Sequence, residues 1–362
     1  MSERVVVVPG PGAVEIRSEE PEALRDGTFR VQTLYSGVST GTELSYVKGT
    51  NPYLSARFDA SLGLFRDGEP STPYPVTRLG YMEVARVAES RTPAVAPGEL
   101  VAMAYGHRTG YLADPLVDRV VPLPEDLDPA LGVYVAHMGP ICANGLLHAA
   151  ADAFGAAVRG LGDGVAGRRV AVVGAGAVGL LTALFCQRHG AQDVRVLDET
   201  SRRRAVAEAL GLATLDPADG DPAVALKTRW RHGPGDRGAD LVFQCRGQAS
   251  ALHLALRLLR PQGTVIDLAF YQAGADAVRL GEEFHHNGLG LRCAQIGRVP
   301  RGLATAWDRE RLSAETIELL RVYGDVVRKH LVTAVVPFDE APSLLTDLAE
   351  RRRQEVSVIL EV

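Results

Sequence analysis

The pattern of apolar and polar positions changes its character at about residue 167. Before that point, short apolar runs at residues 5–8, 29–34, 84–88 and 100–104 are separated by stretches rich in Gly and Pro. Short β-rich runs bounded by turn residues are typical of strands. The first part of the chain is therefore predicted to be an irregular β-rich domain.

Beyond Gly167, apolar strands alternate with helical patterns, which is typical of parallel βαβ units. Between the two parts, residues 131–161 are rich in Ala and show helical spacing interrupted at Gly139-Pro140. The second part is predicted to form a doubly wound parallel sheet. Its predicted strands lie at residues 169–173, 194–197, 239–244 and 263–269, and its predicted helices at 178–188, 201–210 and 249–259.

One long segment, residues 47–75, shows no sustained periodicity and carries several Gly and Pro residues. A connection of this length is usually a functional lid or binding loop, or is disordered. Its aromatic residues Tyr53, Phe58 and Phe65 favour an ordered loop. We hypothesise that this loop covers the entrance for a substrate.

The length and net charge of the chain limit the kinds of protein that it can be. A chain of 362 residues exceeds what one hydrophobic core usually supports, so two domains are expected. The net charge of -5 argues against nucleic acid or an anionic membrane as a partner, because both select basic surfaces. The apolar run at residues 5–8 is far too short for a signal or membrane-spanning segment. We expect a cytoplasmic protein that binds a small-molecule substrate.

The four cysteines lie far apart and form no C-x-x-C pair. A disulfide framework or a structural zinc site with four thiolates is therefore not expected.

The strongest motif is a G-x-G-x-x-G sequence that follows an apolar strand and opens an apolar helix. Gly174 permits the tight turn, Gly176 lets the backbone approach a pyrophosphate, and Gly179 allows close helix–strand packing. Asp198 ends the next predicted strand, 19 residues beyond Gly179. A carboxylate there accepts hydrogen bonds from the adenosine ribose and repels a 2′-phosphate, which predicts NAD as the cofactor.

Charged neighbours of Asp198 modify this prediction. Glu199 adds to the repulsion of a phosphate, whereas the arginines at residues 202–204 either counter it or form a solvated helix face. The predicted dinucleotide site comprises Gly174, Gly176, Ala177, Val178, Gly179, Asp198, Arg203, Cys245, Arg246 and Ala269.

The chain resembles the medium-chain dehydrogenase/reductase family, which includes the zinc alcohol dehydrogenases. The resemblance rests on G-V-S-T-G-T-E at residues 37–43, Gly80-Tyr81, the glycine motif and residues 284–297. It implies an α/β protein with a GroES-like β-rich catalytic domain at residues 1–130 and 297–362, and a Rossmann domain at residues 131–296. It also implies a homodimer formed through edge strands, here near residues 289–296.

The family's zinc ligands are replaced in this chain. Ser39 or Thr40 stands where the family's ligating Cys belongs, Tyr81 stands where its His belongs, and Gly139 lies near the third position. Neutral hydroxyls are poor zinc ligands, so no metal is expected. The motifs look similar to a branch that includes bacteriochlorophyllide a dehydrogenase, although Met82 interrupts that branch's Tyr-Glu pair.

Without zinc, side chains must stabilise the developing alkoxide and accept a proton. Tyr81 either donates a hydrogen bond to the substrate oxygen or fills the space of the metal, and it needs a nearby cation to act as a base. The resemblance implies that Thr42 belongs to a proton relay, although its hydroxyl can also satisfy its own loop. It also implies that His137 lies near the nicotinamide. The candidate catalytic residues are Ser39, Thr42, Tyr81, His107 and His137.

The sequence thus predicts a zinc-independent, NAD-dependent dehydrogenase that interconverts a secondary alcohol and a ketone. Two alternatives stay open. One is a zinc-free, NADPH-dependent quinone or enoyl reductase of the same superfamily, and the other is a non-catalytic nucleotide-binding protein.

Overall fold

The computed structural model describes residues 2–362 of the chain. Contacts divide the chain into two compact units. The first unit consists of Met1–His137 and Val332–Val362, and the second unit consists of Met138–Leu331. Among residues 2–362, no helix combines the length and the apolarity needed to cross a bilayer.

The strands are numbered in chain order as β1 (Glu3–Gly10), β2 (Ala13–Glu19), β3 (Phe29–Val38), β4 (Ala56–Asp59), β5 (Leu64–Asp67), β6 (Glu83–Ser90), β7 (Leu100–Met103), β8 (Gly110–Ala113), β9 (Val121–Pro122), β10 (Arg169–Val173), β11 (Asp193–Leu197), β12 (Ala213–Leu215), β13 (Arg231–Gly233), β14 (Asp236–Arg237), β15 (Ala239–Gln244), β16 (Leu259–Asp267), β17 (Gly290–Cys293), β18 (Val332–Pro337) and β19 (Ser357–Glu361). The α-helices are α1 (Glu43–Val47), α2 (Met138–Phe154), α3 (Ala177–Arg188), α4 (Ser201–Ala209), α5 (Pro222–Arg229), α6 (Ala249–Leu258), α7 (Arg309–Val326) and α8 (Ala341–Ala349).

The first unit is built on a seven-stranded sheet in the order β18-β19-β3-β6-β7-β9, with β8 pairing with β3. The four apolar runs predicted to be strands fall on β1, β3, β6 and β7. Their valines are buried, and because four consecutive valines of β1 are buried, that strand is covered on both faces. The sheet carries the loops before and after its strands, and these loops hold the candidate catalytic residues.

The segment at residues 47–75 is more ordered than its sequence predicts. After a short 3-10 turn at Pro52–Leu54, β4 and β5 form an antiparallel hairpin. Phe58 lies opposite Phe65 with their ring centroids 5.3 Å apart, and Tyr53 lies 5.6 Å from Phe65. Cross-strand aromatic pairs stabilise such a short hairpin. The sequence predicted an ordered loop but not this hairpin, because its strands have only four residues each and are mostly exposed.

The second unit is a six-stranded, fully parallel sheet in the order β12-β11-β10-β15-β16-β17. The central strand β10 is buried along four of its five residues, as expected for a strand covered on both faces. β10 and β15 have the bounds that their sequences predict, and α3, β11, α4 and α6 differ by one residue. β16 begins at Leu259, four residues before its predicted start, and ends at Asp267.

The Gly139-Pro140 interruption marks the beginning of a helix. α2 starts at Met138, so Pro140 lies in its first turn, where a missing N–H breaks no helical hydrogen bond. A separate 3-10 turn, Pro129–Tyr134, precedes it in the first unit.

The compact units differ from the predicted domains at residues 131–137, which lie in the first unit, and at residues 297–331. Residues 297–331 belong to the second unit because α7 packs against α2 and α3. Leu312, Leu319 and Leu320 form the buried face of α7.

Candidate active site and dinucleotide site

The glycine-rich turn joins β10 to α3 in the second unit. Gly174 adopts φ +106°, which L side chains rarely adopt, and a Cβ on Gly179 would lie 1.8 Å from the carbonyl oxygen of Gly174. A Cβ on Gly176 would meet nothing within 4 Å, and no side chain caps the N-terminus of α3. Open space beside an uncapped helix N-terminus fits a pyrophosphate. Ala177 and Val178 form the first turn of α3 and are partly buried.

Asp198 follows β11 and braces the glycine-rich turn. Its Oδ2 accepts a hydrogen bond from Ala175 N at 2.9 Å, and its Oδ1 accepts one from Thr200 N at 2.8 Å. The residue is only 3% exposed. Each carboxylate oxygen retains a further lone pair for a ribose hydroxyl. The sequence predicted the ribose acceptor and missed the bracing role, because the two donors are backbone groups.

A cavity opens beside Asp198 at the carboxyl ends of the parallel strands, where ligands of doubly wound folds bind. Its walls are mostly apolar, and its polar members lie at Asp198, Glu199, Arg246 and Ser250. The lining residues are Val173, Leu197, Asp198, Glu199, Pro217, Arg246, Ser250, Ala251 and Leu254. An apolar slot with a polar rim fits the adenosine half of a dinucleotide.

The remaining predicted cofactor residues lie at the same edge of the sheet. Cys245 and Arg246 follow β15, and Ala269 follows β16 with its N–H donated to Asp267 Oδ1 at 2.9 Å. Burial raises the pKa of the Cys245 thiol well above its usual value, so the thiol stays protonated. Arg203 Nη1 lies 3.8 Å from Asp198 Oδ2. The structure thus brings the predicted dinucleotide residues to one edge of the second unit.

In the first unit, three hydroxyl groups meet between the end of β3 and the start of β6. Tyr81 Oη donates a hydrogen bond to Ser39 Oγ at 2.5 Å, and Tyr81 also hydrogen-bonds Thr42. The ring of His137 lies against Tyr81, with the two centroids 4.5 Å apart. Four of the five candidate catalytic residues therefore form one cluster, which we call the hydroxyl cluster: Ser39, Thr42, Tyr81 and His137.

Tyr81 is suited to donate a hydrogen bond and not to act as a base. Burial and the nearby carboxylate of Glu43 raise the pKa of Tyr81 to about 12. A base would need a cation beside the phenol, whereas this phenol has a carboxylate. This environment favours a donor role for Tyr81 over a role as base.

His107 lies outside the hydroxyl cluster, and Glu43 lies between them, in contact with His107 and with Ser39 N. Its ring is 0% exposed, with Nε2 2.9 Å from Glu43 Oε2 and Nδ1 2.7 Å from Ser36 Oγ. A Cβ on Gly80 would lie 2.8 Å from this ring, so the ring fills the space beside that glycine. Because both ring nitrogens are engaged and enclosed, His107 cannot take a proton from a substrate directly. These contacts favour a positioning role for His107, which the sequence predicted as a candidate catalytic residue.

A buried network connects His107 to the loop of the hydroxyl cluster. Glu43 Oε1 accepts a hydrogen bond from Ser39 N at 3.0 Å. Glu83 accepts hydrogen bonds from Ser36 Oγ at 3.1 Å and from Tyr105 N at 2.8 Å. Burial opposes the charge on His107, but the carboxylates of Glu43 and Glu83 outweigh it and raise its pKa. Burial also raises the pKa of Glu83.

Sequence reasoning missed Ser36 and Glu83. The available signal was a carboxylate at the head of the apolar run at residues 84–88, where an unpaired charge is costly.

The donor set of the hydroxyl cluster does not fit zinc. Zinc prefers thiolate, imidazole or carboxylate ligands, whereas Ser39, Thr42 and Tyr81 offer neutral hydroxyls that bond to one another. The neighbouring carboxylate of Glu43 is already engaged by Ser39 N and His107. No step of the chemistry is therefore assigned to a zinc ion.

Within residues 2–362, a single group of side chains has metal-ligand spacing, and it lies in the second unit: His253, Glu282 and Glu283. Arg279 pairs with Glu282 at 3.2 Å and Arg257 pairs with Glu283 at 3.3 Å. These ion pairs already neutralise both carboxylates.

Comparison with known proteins agrees with this architecture. Residues 177–297 match the family model described as zinc-binding dehydrogenase. The D-guloside 3-dehydrogenase of Shigella flexneri is 26% identical over 93% of each chain.

Two solved structures cover the whole chain. A protein of Sinorhizobium meliloti 1021, described as a zinc-binding dehydrogenase and bound to NADP, matches 100% of each chain with a TM-score of 0.73 and 20% identity. The 2R,3R-butanediol dehydrogenase of Bacillus subtilis matches 100% of each chain with a TM-score of 0.72 and 18% identity. At these identities the likeness shows the fold, a GroES-like unit combined with a Rossmann unit.

The matched family model and relatives lead to one conclusion. The chain is similar to zinc-type alcohol dehydrogenase-like proteins of the medium-chain dehydrogenase/reductase family, and its residues 177–297 match that family's zinc-binding dehydrogenase model.

Proposed function

We propose that this protein is a zinc-independent, NAD-dependent dehydrogenase that interconverts a secondary alcohol and the corresponding ketone on a sugar-like substrate. The observation that carries the proposal is the hydroxyl cluster, which occupies the motif positions of the family's zinc ligands with donors that zinc disfavours. The D-guloside 3-dehydrogenase relative supports a glycoside or polyol as the substrate class.

In this proposal the hydroxyl cluster replaces the metal by hydrogen bonding. Tyr81 keeps its proton, because its pKa is about 12, and on substrate binding turns this O–H from Ser39 Oγ to the oxygen that develops alkoxide character. Ser39 and Thr42 hold the phenol in place and carry the hydroxyl proton away from the substrate. Bound NAD supplies the hydride acceptor.

His137 is the proposed terminal proton acceptor. Its ring packs on Tyr81 at a centroid distance of 4.5 Å. Imidazole is the side chain that most readily accepts and releases a proton near neutral pH. Oxidation of the alcohol then yields a ketone, NADH and one proton on imidazole.

The preference for NAD is supported by the carboxylates beside the adenosine cavity. Asp198 and Glu199 both line this cavity. Negative charge beside the ribose disfavours the additional phosphate of NADP.

The test combines metal analysis with a substrate panel. Protein treated with EDTA and shown by mass spectrometry to be free of zinc should reduce NAD with glycosides or polyols as substrates. Tyr81→Phe should lower kcat by about tenfold to a thousandfold, as expected for the loss of one oxyanion donor. Tyr35→Phe, which alters a partly buried tyrosine on β3, is the matched control and should retain activity.

Three outcomes would overturn the proposal. Activity that appears only after zinc is added would restore the metal to the reaction. Reduction of quinones or enoyl compounds by NADPH, without alcohol oxidation, would identify a reductase. Tight NADH binding without turnover of any alcohol would indicate a non-catalytic nucleotide-binding protein.

A further inference from the structure

A group of side chains with metal-ligand spacing lies in the second unit, where α6 packs against the turn at Leu280–Phe284. His253 is on α6, and Glu282 and Glu283 are on the turn. One ring nitrogen of His253 and one oxygen of each carboxylate lie within 4.8 Å of one another. Each of the three residues therefore offers a ligand atom to the same small volume.

The imidazole of His253 gives a separate indication of a ligand. Its Nδ1 atom is buried and has no hydrogen-bond partner within residues 2–362. Leaving a buried polar atom unpaired is unfavourable, and an ion or a water commonly satisfies such an atom. Neutral imidazole keeps a lone pair on one ring nitrogen, which is the form that binds metals. A metal ion held by the two carboxylates would use this lone pair.

Both carboxylates already form ion pairs, but each pair uses only one carboxylate oxygen. Arg279 Nη1 lies 3.2 Å from Glu282 Oε1. Arg257 Nε lies 3.3 Å from Glu283 Oε1. The second oxygen of each glutamate can bind a metal while the first keeps its arginine.

The loss of either ion pair would also be small. The side chains of Arg279 and Glu282 are 69% and 49% exposed, and exposed ion pairs contribute little to stability. Arg257 also bonds Asp221 at 2.6 Å, so it keeps a partner if Glu283 turns toward a metal ion. The arginines therefore compete only weakly with a divalent ion.

The donor set selects the kind of metal. Imidazole favours zinc and related transition metals, whereas magnesium and calcium are bound through oxygen atoms. Three protein ligands and one water complete a tetrahedral zinc site. Because Glu282 is half exposed, an ion can enter from solvent.

We propose that His253, Glu282 and Glu283 bind a zinc ion that fastens the connection between β16 and β17 to α6. This connection covers residues 268–289, and connections of that length are usually functional or disordered. Three residues of α6 line the adenosine cavity, so the ion would also hold the helix that forms this wall. The proposal is independent of the proposed function, because none of the three ligands belongs to the hydroxyl cluster.

The test measures metal binding by the full chain, free of any affinity tag and stripped of metal with EDTA. Calorimetric titration with zinc chloride should give one ion per chain, and metal analysis after gel filtration should give the same ratio. His253→Gln and Glu282→Gln should each weaken zinc binding by at least about tenfold, because losing a residue that merely orients a ligand already has an effect of this size. Magnesium and calcium at equal concentration should not displace the zinc.

Two variants serve as controls. Glu318→Gln is the matched control, because Glu318 pairs with Arg321 three residues along its helix, as Glu282 pairs with Arg279, and is 46% exposed. His286→Gln alters an exposed imidazole close in sequence to the turn but outside the group with metal-ligand spacing. Both variants should bind zinc as the unaltered protein does.

A second measurement reports the fastening itself. At a free zinc concentration about one hundred times the dissociation constant, hydrogen exchange in the peptide covering residues 279–289 should slow by up to about a hundredfold, because the ion binds only the closed form. Glu282→Gln should show no such change.

Different results would overturn different statements. No zinc on the unaltered protein, or undiminished binding in His253→Gln and Glu282→Gln, would overturn the site. Loss of binding only in His286→Gln would also overturn it and assign the zinc to a surface histidine. Binding lost only in Tyr81→Phe would overturn both this site and the zinc independence of the proposed function. Normal zinc binding here without turnover of any alcohol would overturn only the proposed function.

Discussion

Replacing His107 tests whether its buried pair with Glu43 stabilises the first unit. The two side chains are 0% and 2% exposed, and their nearest atoms lie 2.9 Å apart. Removing one partner of a buried ion pair costs about 3–5 kcal/mol, because it leaves an uncompensated charge. We expect His107→Ala to lower the free energy of unfolding of the first unit by about that amount. His107→Gln, which can still donate a hydrogen bond to Glu43, should lower it by roughly 1–3 kcal/mol.

The stability that the His107–Glu43 pair contributes should depend on pH in a definite direction. Burial lowers the pKa of His107, but Glu43 and Glu83 outweigh burial and raise it above the ordinary value of 6.5. A pKa raised in the folded state contributes stability that is fully present below the unfolded value and is lost as the pH rises through the folded value. The difference between the unaltered protein and His107→Gln should therefore be largest near about pH 6 and shrink toward about pH 9. Tyr81 and Tyr105, the other titratable groups beside the network, are the same in both proteins.

The assay must report the two units separately. Both tryptophans, Trp230 and Trp307, lie in the second unit, so their fluorescence during urea unfolding serves as an internal control. Hydrogen exchange of peptides from β3 and β6, followed by mass spectrometry, reports the first unit. His286→Gln, at an exposed position, is the matched control. Equal protection of His107→Gln and the unaltered protein, or a difference that does not vary with pH, would refute the charged pair.

Three further predictions concern other parts of the molecule. Asp198→Asn removes one of two backbone hydrogen bonds and should weaken NADH binding by about tenfold, with a smaller loss for NADPH because a charge that disfavours the 2′-phosphate is also removed; unchanged NADH binding in titrations would contradict its bracing role. Replacing the hairpin tip at residues 58–68 by two glycines should raise KM for the alcohol while leaving the dissociation constant for NADH unchanged; unchanged substrate kinetics would argue against a lid. Leu291 is 44% exposed on the edge strand β17, where we propose that a second copy of the chain pairs. Leu291→Glu should therefore convert a dimer to a monomer in sedimentation experiments. A monomeric unaltered protein would refute this interface.

The second unit could be largely predicted from the sequence because its signals are contiguous. The bounds of β10 and β15 follow from apolar runs flanked by turn residues. The glycine spacing required by the turn at Gly174 lies within ten residues of chain. Such patterns depend on local geometry, so they can be recognised from the amino-acid sequence alone.

The hairpin at residues 56–67 could not be predicted in the same way. Its strands are short, and its partners Phe58 and Phe65 face solvent, so no alternation of apolar and polar positions marks it. The hairpin is joined by contacts between its strands, namely the two rings and the ion pairs Arg57–Glu69 and Arg66–Asp59.

By itself, the sequence determined the class of fold, the order of the elements in the second unit, and the positions of the glycine motif and its acid. The tertiary structure decided which charges meet. His107 pairs with Glu43 across 64 residues of chain, and Arg246 pairs with Glu199 across 47. The first contact encloses a candidate catalytic residue, and the second places an exposed carboxylate on an arginine at the cavity rim. The reason is physical: burial and pairing depend on distances in space, and no local pattern encodes those distances when the partners lie on different strands and loops.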